Sequence, residues 1–151
     1  MPNQDHLHIL LIVGDGEVAT ALATLAATLG WEPVVVDSLP DAISALPQSD
    51  SVVVLSHHDG IDGPALAAAL ASGASYVGAM GSRTTQARRR SWMLANRVPK
   101  DRVDAIHGPT GLDIGADTPA EIAVSVVAEV IAVSHGRSGG GLGDRTGSIH
   151  P

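Results

Sequence analysis

His8-Ile9-Leu10-Leu11-Ile12-Val13-Gly14-Asp15-Gly16-Glu17 decides the fold of this chain. The apolar run does not alternate with polar residues, so it reads as a strand buried on both faces rather than one with a wet side. Two glycines close it. From Glu17 the period changes: Val18, Leu22, Leu25 and Leu29 are spaced by four, three and four, a helical stripe, and Gly30 stands where a helix is capped. A buried parallel strand, a glycine turn and a helix make the first unit of an α/β sheet.

The same grammar continues. Val34-Val35-Val36 is a short second strand ending at Asp37, and Ser38 with Asp41 has the spacing of a helix cap for a segment closed by Pro47. Ser51-Val52-Val53-Val54-Leu55 is a third strand. Asp62-Gly63-Pro64 opens a helix to about Ala71, with proline in its first turn. Ser75 to Met80 is a fourth strand, followed by Gly81 and a helix capped by Ser82 and reaching about Asn96. Val103-Asp104-Ala105-Ile106 is a weaker fifth strand. Thr118-Pro119-Ala120-Glu121 is a capping box that starts a helix carrying Ile122, Val126, Val127, Val130 and Ile131 on a broad apolar stripe.

Strands alternating with helices predict a doubly wound parallel sheet, Rossmann-like, with strand order 3-2-1-4-5. Residues 1–135 form this domain, and residues 136–151 are a glycine-rich tail that reads as flexible from composition. In that order strands 1 and 4 are neighbours, so the turns Gly14–Gly16 and Gly78–Arg83 face each other across the crevice where open parallel sheets bind ligands.

Composition narrows the chemistry. A chain of 151 residues without cysteine excludes disulfides, thiolate zinc sites and a cysteine nucleophile. No apolar run has the length of a membrane span and no signal peptide is evident, so a soluble cytoplasmic protein is expected. The net charge of −7 argues against nucleic acid as a partner. All nine Lys and Arg lie from Arg83 onward, where they meet seven acids, while residues 1–82 hold nine acids. The division is ordinary surface variation, or it marks a later half that meets an anion. The chain contains no recognisable catalytic triad or metal cluster, and a stand-alone catalyst is not expected.

Several residues are candidates for binding. Gly14-x-Gly16 before a helix lets a backbone approach a phosphate, with Asp37 placed for a ribose hydroxyl; the turn is that fingerprint or a plain connection. Asp15 and Glu17 oppose a pyrophosphate there. Arg83, in the first turn of its helix, is disfavoured by the helix dipole by a few tenths of a kcal/mol, a penalty that an anion would remove. Arg88, Arg89 and Arg90 read as a solvated face. His57 follows the third strand at the crevice rim, and Asp113 binds a ligand or stabilises its own turn. Thr118 and Glu121 read as capping residues, and Glu129 as paired or solvent-facing.

Together these segments resemble the C-terminal Rossmann domain of the xanthine dehydrogenase accessory family (XdhC/CoxI). The resemblance rests on Tyr76-Val77-Gly78 with Gly81-Ser82-Arg83, on Pro109-Thr110-Gly111-Leu112-Asp113-Ile114-Gly115, on Thr118-Pro119-Ala120-Glu121-Ile122-Ala123 with Ala128-Glu129, on His57 and Asp62, and on the ending Ile149-His150. It implies a molybdenum cofactor chaperone that binds molybdopterin, protects it, assists its sulfuration and delivers it to a molybdenum hydroxylase apo-enzyme. The implied partners include a separate N-terminal-type domain or a sulfurtransferase. The implied cofactor-binding set is Gly14, Gly16, Asp37, His57, Gly78, Gly81, Ser82, Arg83, Gly111 and Asp113, with no metal ligands. The alternative is an NAD(P)-binding oxidoreductase or nucleotide-binding regulatory module. Self-association through the apolar stripe of the last helix is also expected.

Overall fold

A computed structural model describes residues 6–151. The first five residues of the expected 1–135 domain lie outside them. Four strands, β1 (Ile9–Val13), β2 (Glu32–Val36), β3 (Ser51–Val54) and β4 (Tyr76–Ala79), form one parallel sheet. Six helices surround it: α1 (Glu17–Thr28), α2 (Leu39–Ala45), α3 (Asp59–Ala71), α4 (Arg83–Ala95), α5 (Lys100–Asp104) and α6 (Pro119–Ser134).

The strand order is β2-β1-β3-β4 and not 3-2-1-4-5. The reason is written in β2. Pro33 has no N–H to give to a second neighbour, Glu32 is exposed, and Val35 is 48% exposed, all properties of an edge strand. β3, by contrast, is buried at every position and suits the centre, between β1 and β4.

The expected fifth strand is also absent among the described residues. Val103 and Ile106 are three apart, and both face the core from one short helical turn, α5, and the residues just after it. The sheet edge beyond β4 is covered by residues 107–110 instead. His107 N donates to Val77 O at 2.9 Å, Ala79 N to His107 O at 3.0 Å and Thr110 N to Ala79 O at 3.1 Å. Gly78 is required here because a Cβ would stand 2.6 Å from Thr110 Oγ1.

Alternate strand residues divide the core in two. Leu10, Ile12, Val53 and Tyr76 face α1 and α6, while Leu11, Val13, Val52, Val54, Val77 and Ala79 face α2 to α5. Each fully buried Val, Leu or Ile stabilises the fold by about 1.5–3 kcal/mol. The apolar stripe of α6 is folded against α1 and the sheet within the same chain. Self-association is therefore not needed to cover it.

Local signals are realised closely. Ser38 Oγ accepts from Asp41 N, Ser82 Oγ from Thr85 N, and Thr118 with Glu121 makes the complete capping box. The helix expected from Asp62 starts at Asp59, which puts Pro64 inside α3 rather than in its first turn. Residues 136–151 do not simply trail from the domain. They return over α6, with a short 3₁₀ turn at Leu142–Asp144, and Gly139 sits directly on Leu112. No helix among the described residues is long and apolar enough to cross a membrane.

Candidate functional site

β1 continues into α1 on one face of the sheet, and its neighbour β3 continues into α3 on the other. The switch point is thus between β1 and β3, and a crevice opens at their carboxyl ends. It holds about 530 Å³. Gly14, Asp15, Glu17, Val18 and Asp37 form one side, and Leu55, Ser56, His57, His58 and Met80 form the other, with Pro119 at the rim.

The floor is built by backbone. Val13 O accepts from Leu55 N at 2.8 Å and from Ser56 N at 3.1 Å, and Gly14 N donates to Val36 O at 2.7 Å. Gly14 has φ of +130°, and a Cβ there would lie 2.9 Å from Ser56 N. Only glycine allows the turn to come this close to the end of β3.

Arg89 holds the opposite wall. It is 4% exposed, which corrects its reading as part of a solvated arginine face. Its Nη1 donates to Met80 O at 2.6 Å, and its Nη2 donates to Ser56 O at 3.1 Å and to Asp62 Oδ2 at 2.8 Å. One guanidinium thereby ties the chain after β3 to the chain after β4, and the charge of buried Asp62 compensates it. Asp62 Oδ1 and Arg89 Nε have no partner, so the pair is incompletely satisfied. The signal was the four-residue spacing from Arg89 to Met93, the buried stripe of α4.

Of the residues proposed from sequence, Gly14, Asp37 and His57 line the crevice, and Gly16 stands beside it at the start of α1 with φ of +104°. Gly81, Ser82 and Arg83 are not among the lining residues, because β3 separates β1 from β4; the facing of Gly14–Gly16 with Gly78–Arg83 is corrected accordingly. Gly81 packs against Arg89 and Thr85, the Ser82 hydroxyl is occupied as a cap, and Arg83 is exposed. Asp113 is exposed on the loop before α6.

Gly78 and Gly111 belong to a second polar cluster, at the edge of β4. Tyr76 Oη donates to Glu129 Oε1 at 2.6 Å and lies 2.6 Å from Thr110 Oγ1. Gly111 N donates to the same Glu129 oxygen at 3.2 Å, and His107 Nδ1 is 3.4 Å from it. The His107 ring stacks on Tyr76 with centroids 4.5 Å apart. Burial and the neighbouring Glu129 carboxylate push the Tyr76 phenol well above its ordinary range, so it stays a neutral donor. No local pattern links Tyr76 to Glu129, which stand 53 positions apart in the sequence.

The family model of the XdhC Rossmann domain matches residues 10–130. Among curated proteins, the chain is 33% identical to the molybdenum cofactor insertion chaperone PaoD of Escherichia coli, over 82% of this chain and 39% of that protein. It is 32% identical to a protein of Bacillus subtilis named as a probable xanthine dehydrogenase component, over 81% of this chain and 42% of that one. It is 28% identical to Escherichia coli YqeB, over 87% of this chain and 28% of YqeB. The chain thus spans less than half the length of these relatives. A crystal structure described as a xanthine dehydrogenase from Bacillus halodurans matches with a TM-score of 0.67 and 27% identity, covering 87% of this chain and 44% of that one.

Proposed function

This chain belongs to the XdhC Rossmann-domain family, and we propose that it is a molybdenum-cofactor accessory module that holds the pterin cofactor in the β1/β3 crevice for delivery to a xanthine dehydrogenase-like hydroxylase. The observation that carries the reading is the character of that crevice: three carboxylates, Asp15, Glu17 and Asp37, two imidazoles, and no lysine or arginine among its lining residues. The aminopyrimidinone edge of a pterin presents N–H donors, which carboxylates accept with charge assistance. A pyrophosphate lying across Gly14–Gly16 would instead meet Asp15 and Glu17, so the residues fit the heterocycle better than the phosphates of NAD(P).

In this reading Asp37 orients the ring, Gly14 lets the turn after β1 close on the end of β3 to form the floor beneath it, and His57 stands at the rim. The cofactor phosphate is assigned to Arg83 at the start of α4, which follows crevice-lining Met80 by three residues. Gly16 gives α1 its uncapped start, while Gly78, Gly81, Ser82 and Gly111 act by shaping the backbone around β4. Asp113 has no assigned contact. When bound, the cofactor supplies the molybdenum chemistry; the chain's own groups bind, orient and exclude water. The name of PaoD supports a hydroxylase apo-enzyme as recipient. A sulfurtransferase and a separately encoded N-terminal-type domain are further proposed partners.

NAD(P) binding is the second reading, favoured by Asp37 directly after β2 and by the glycine turn. Calorimetric titration of molybdopterin and of NAD(H) into the full chain separates the two. Tighter molybdopterin binding is expected, weakened about tenfold by Asp37→Asn. Equal or tighter NAD(H) binding overturns the chaperone reading.

A further inference from the structure

The C-terminal tail builds a second cavity, of about 610 Å³, along the flank of the α6 stripe, with Ile131 shared between the two. Ala128, Ile131 and Ala132 line it from α6, Leu112 from the preceding loop, and Leu142 and Ile149 from the returning tail. Those last two side chains are 61% and 57% exposed, although the tail holds them over an apolar floor. Two arginine side chains tie the tail to its own backbone. Arg145 Nε donates to Ser148 O at 2.8 Å, and Arg137 Nη2 lies 3.5 Å from Ser148 O and Ile149 O.

Arg137 and Arg145 also line the cavity with His135, and Asp144 is the one acidic side chain in its lining. Neither arginine has a carboxylate partner among the described residues, so most of their N–H donors remain for something else. The volume lies in the range of small-molecule sites. An apolar floor beneath two guanidinium groups, neither in an ion pair among the described residues, is complementary to one kind of guest. We propose that this cavity binds a small amphipathic anion, its apolar body seated on α6 and its carboxylate, sulfonate or phosphate turned to Arg137 and Arg145. The site is separate from the β1/β3 crevice and does not depend on what that crevice holds.

The test uses two dyes of similar shape, anionic 1-anilinonaphthalene-8-sulfonate and neutral N-phenyl-1-naphthylamine, titrated into the full chain. One saturable site is expected, binding the sulfonate at least about tenfold tighter than the neutral dye. Arg137→Gln with Arg145→Gln should remove that preference, the Lys pair should retain much of it, and Ala128→Phe should fill the cavity and block both dyes. If Ala128→Phe unfolds the chain, the arginine series still decides. Equal affinity for the two dyes, or a preference insensitive to the Gln pair, overturns the proposal. Dye displaced by self-association in sedimentation experiments also overturns it, by assigning the face to a second copy.

Discussion

Gly14 and Ser56 stand so close that a Cβ on the glycine would lie 2.9 Å from the serine amide nitrogen. This close approach forms the crevice floor at the end of the β1–β3 ladder, where Leu55 N and Ser56 N both donate to Val13 O. Gly14→Ala combines an unfavourable φ of +130° with this collision and is expected to cost about 1–3 kcal/mol in urea denaturation. Gly16→Ala meets open space and strains only its φ of +104°, so it should cost less. Equal costs would show that Gly14 is needed for conformation alone.

Breaking the buried Arg89–Asp62 pair by Arg89→Met or Asp62→Asn should destabilise by about 3–5 kcal/mol, because either change strands a group inside the protein. In a double-mutant cycle the combined variant should lose clearly less than the sum of the two. Additive losses would mean that Arg89 acts mainly through the Ser56 and Met80 carbonyls.

Tyr76 is the only tyrosine of the chain, so its ionisation can be followed in the ultraviolet without interference from another phenol. The tyrosinate band should be absent on passing pH 10.0, the ordinary value, and appear only with alkaline unfolding. Tyr76→Phe removes one donor from Glu129 and should cost about 1–3 kcal/mol. Normal titration of the folded protein would contradict the buried hydrogen bond.

The capping box gives a pH signature. Backbone N–H groups of Thr118 and Asp117 hold the Glu121 carboxyl below its ordinary 4.5. A depressed folded pKa means that the contribution is complete above the unfolded value and is lost as pH falls through the folded one. The stability difference between wild type and Glu121→Gln should therefore be constant from neutral pH to about 5 and shrink below it, as followed by chemical denaturation across pH. A difference independent of pH would remove the carboxylate from the cap.

For the cofactor, Arg83→Ala should weaken phosphate-bearing molybdopterin about tenfold and leave its dephosphorylated form unchanged. No loss with either form would take Arg83 out of the site.

Elements whose cause is local are legible in the residues alone. The Ser38, Ser82 and Thr118 caps, the exit of α1 at Gly30 with φ of +75° and the buried character of β1 and β3 each rest on hydrogen bonds, backbone conformation or periodicity within a few residues. The family resemblance rested on equally local motifs, and it held. Which strand stands beside β1 is settled in the assembled sheet, because that choice sets one sheet edge against another across dozens of residues. Pro33 and exposed Glu32 carried the edge signal, but it has meaning only in comparison with a fully buried β3. From that order follow the partners of Gly14 at Ser56 and the separation of the crevice lining from Arg83. Arg89 shows the same division: as a residue it is a cation on a helix, and burial became its lowest-energy state only where Asp62 and two strand-end carbonyls converge to replace water.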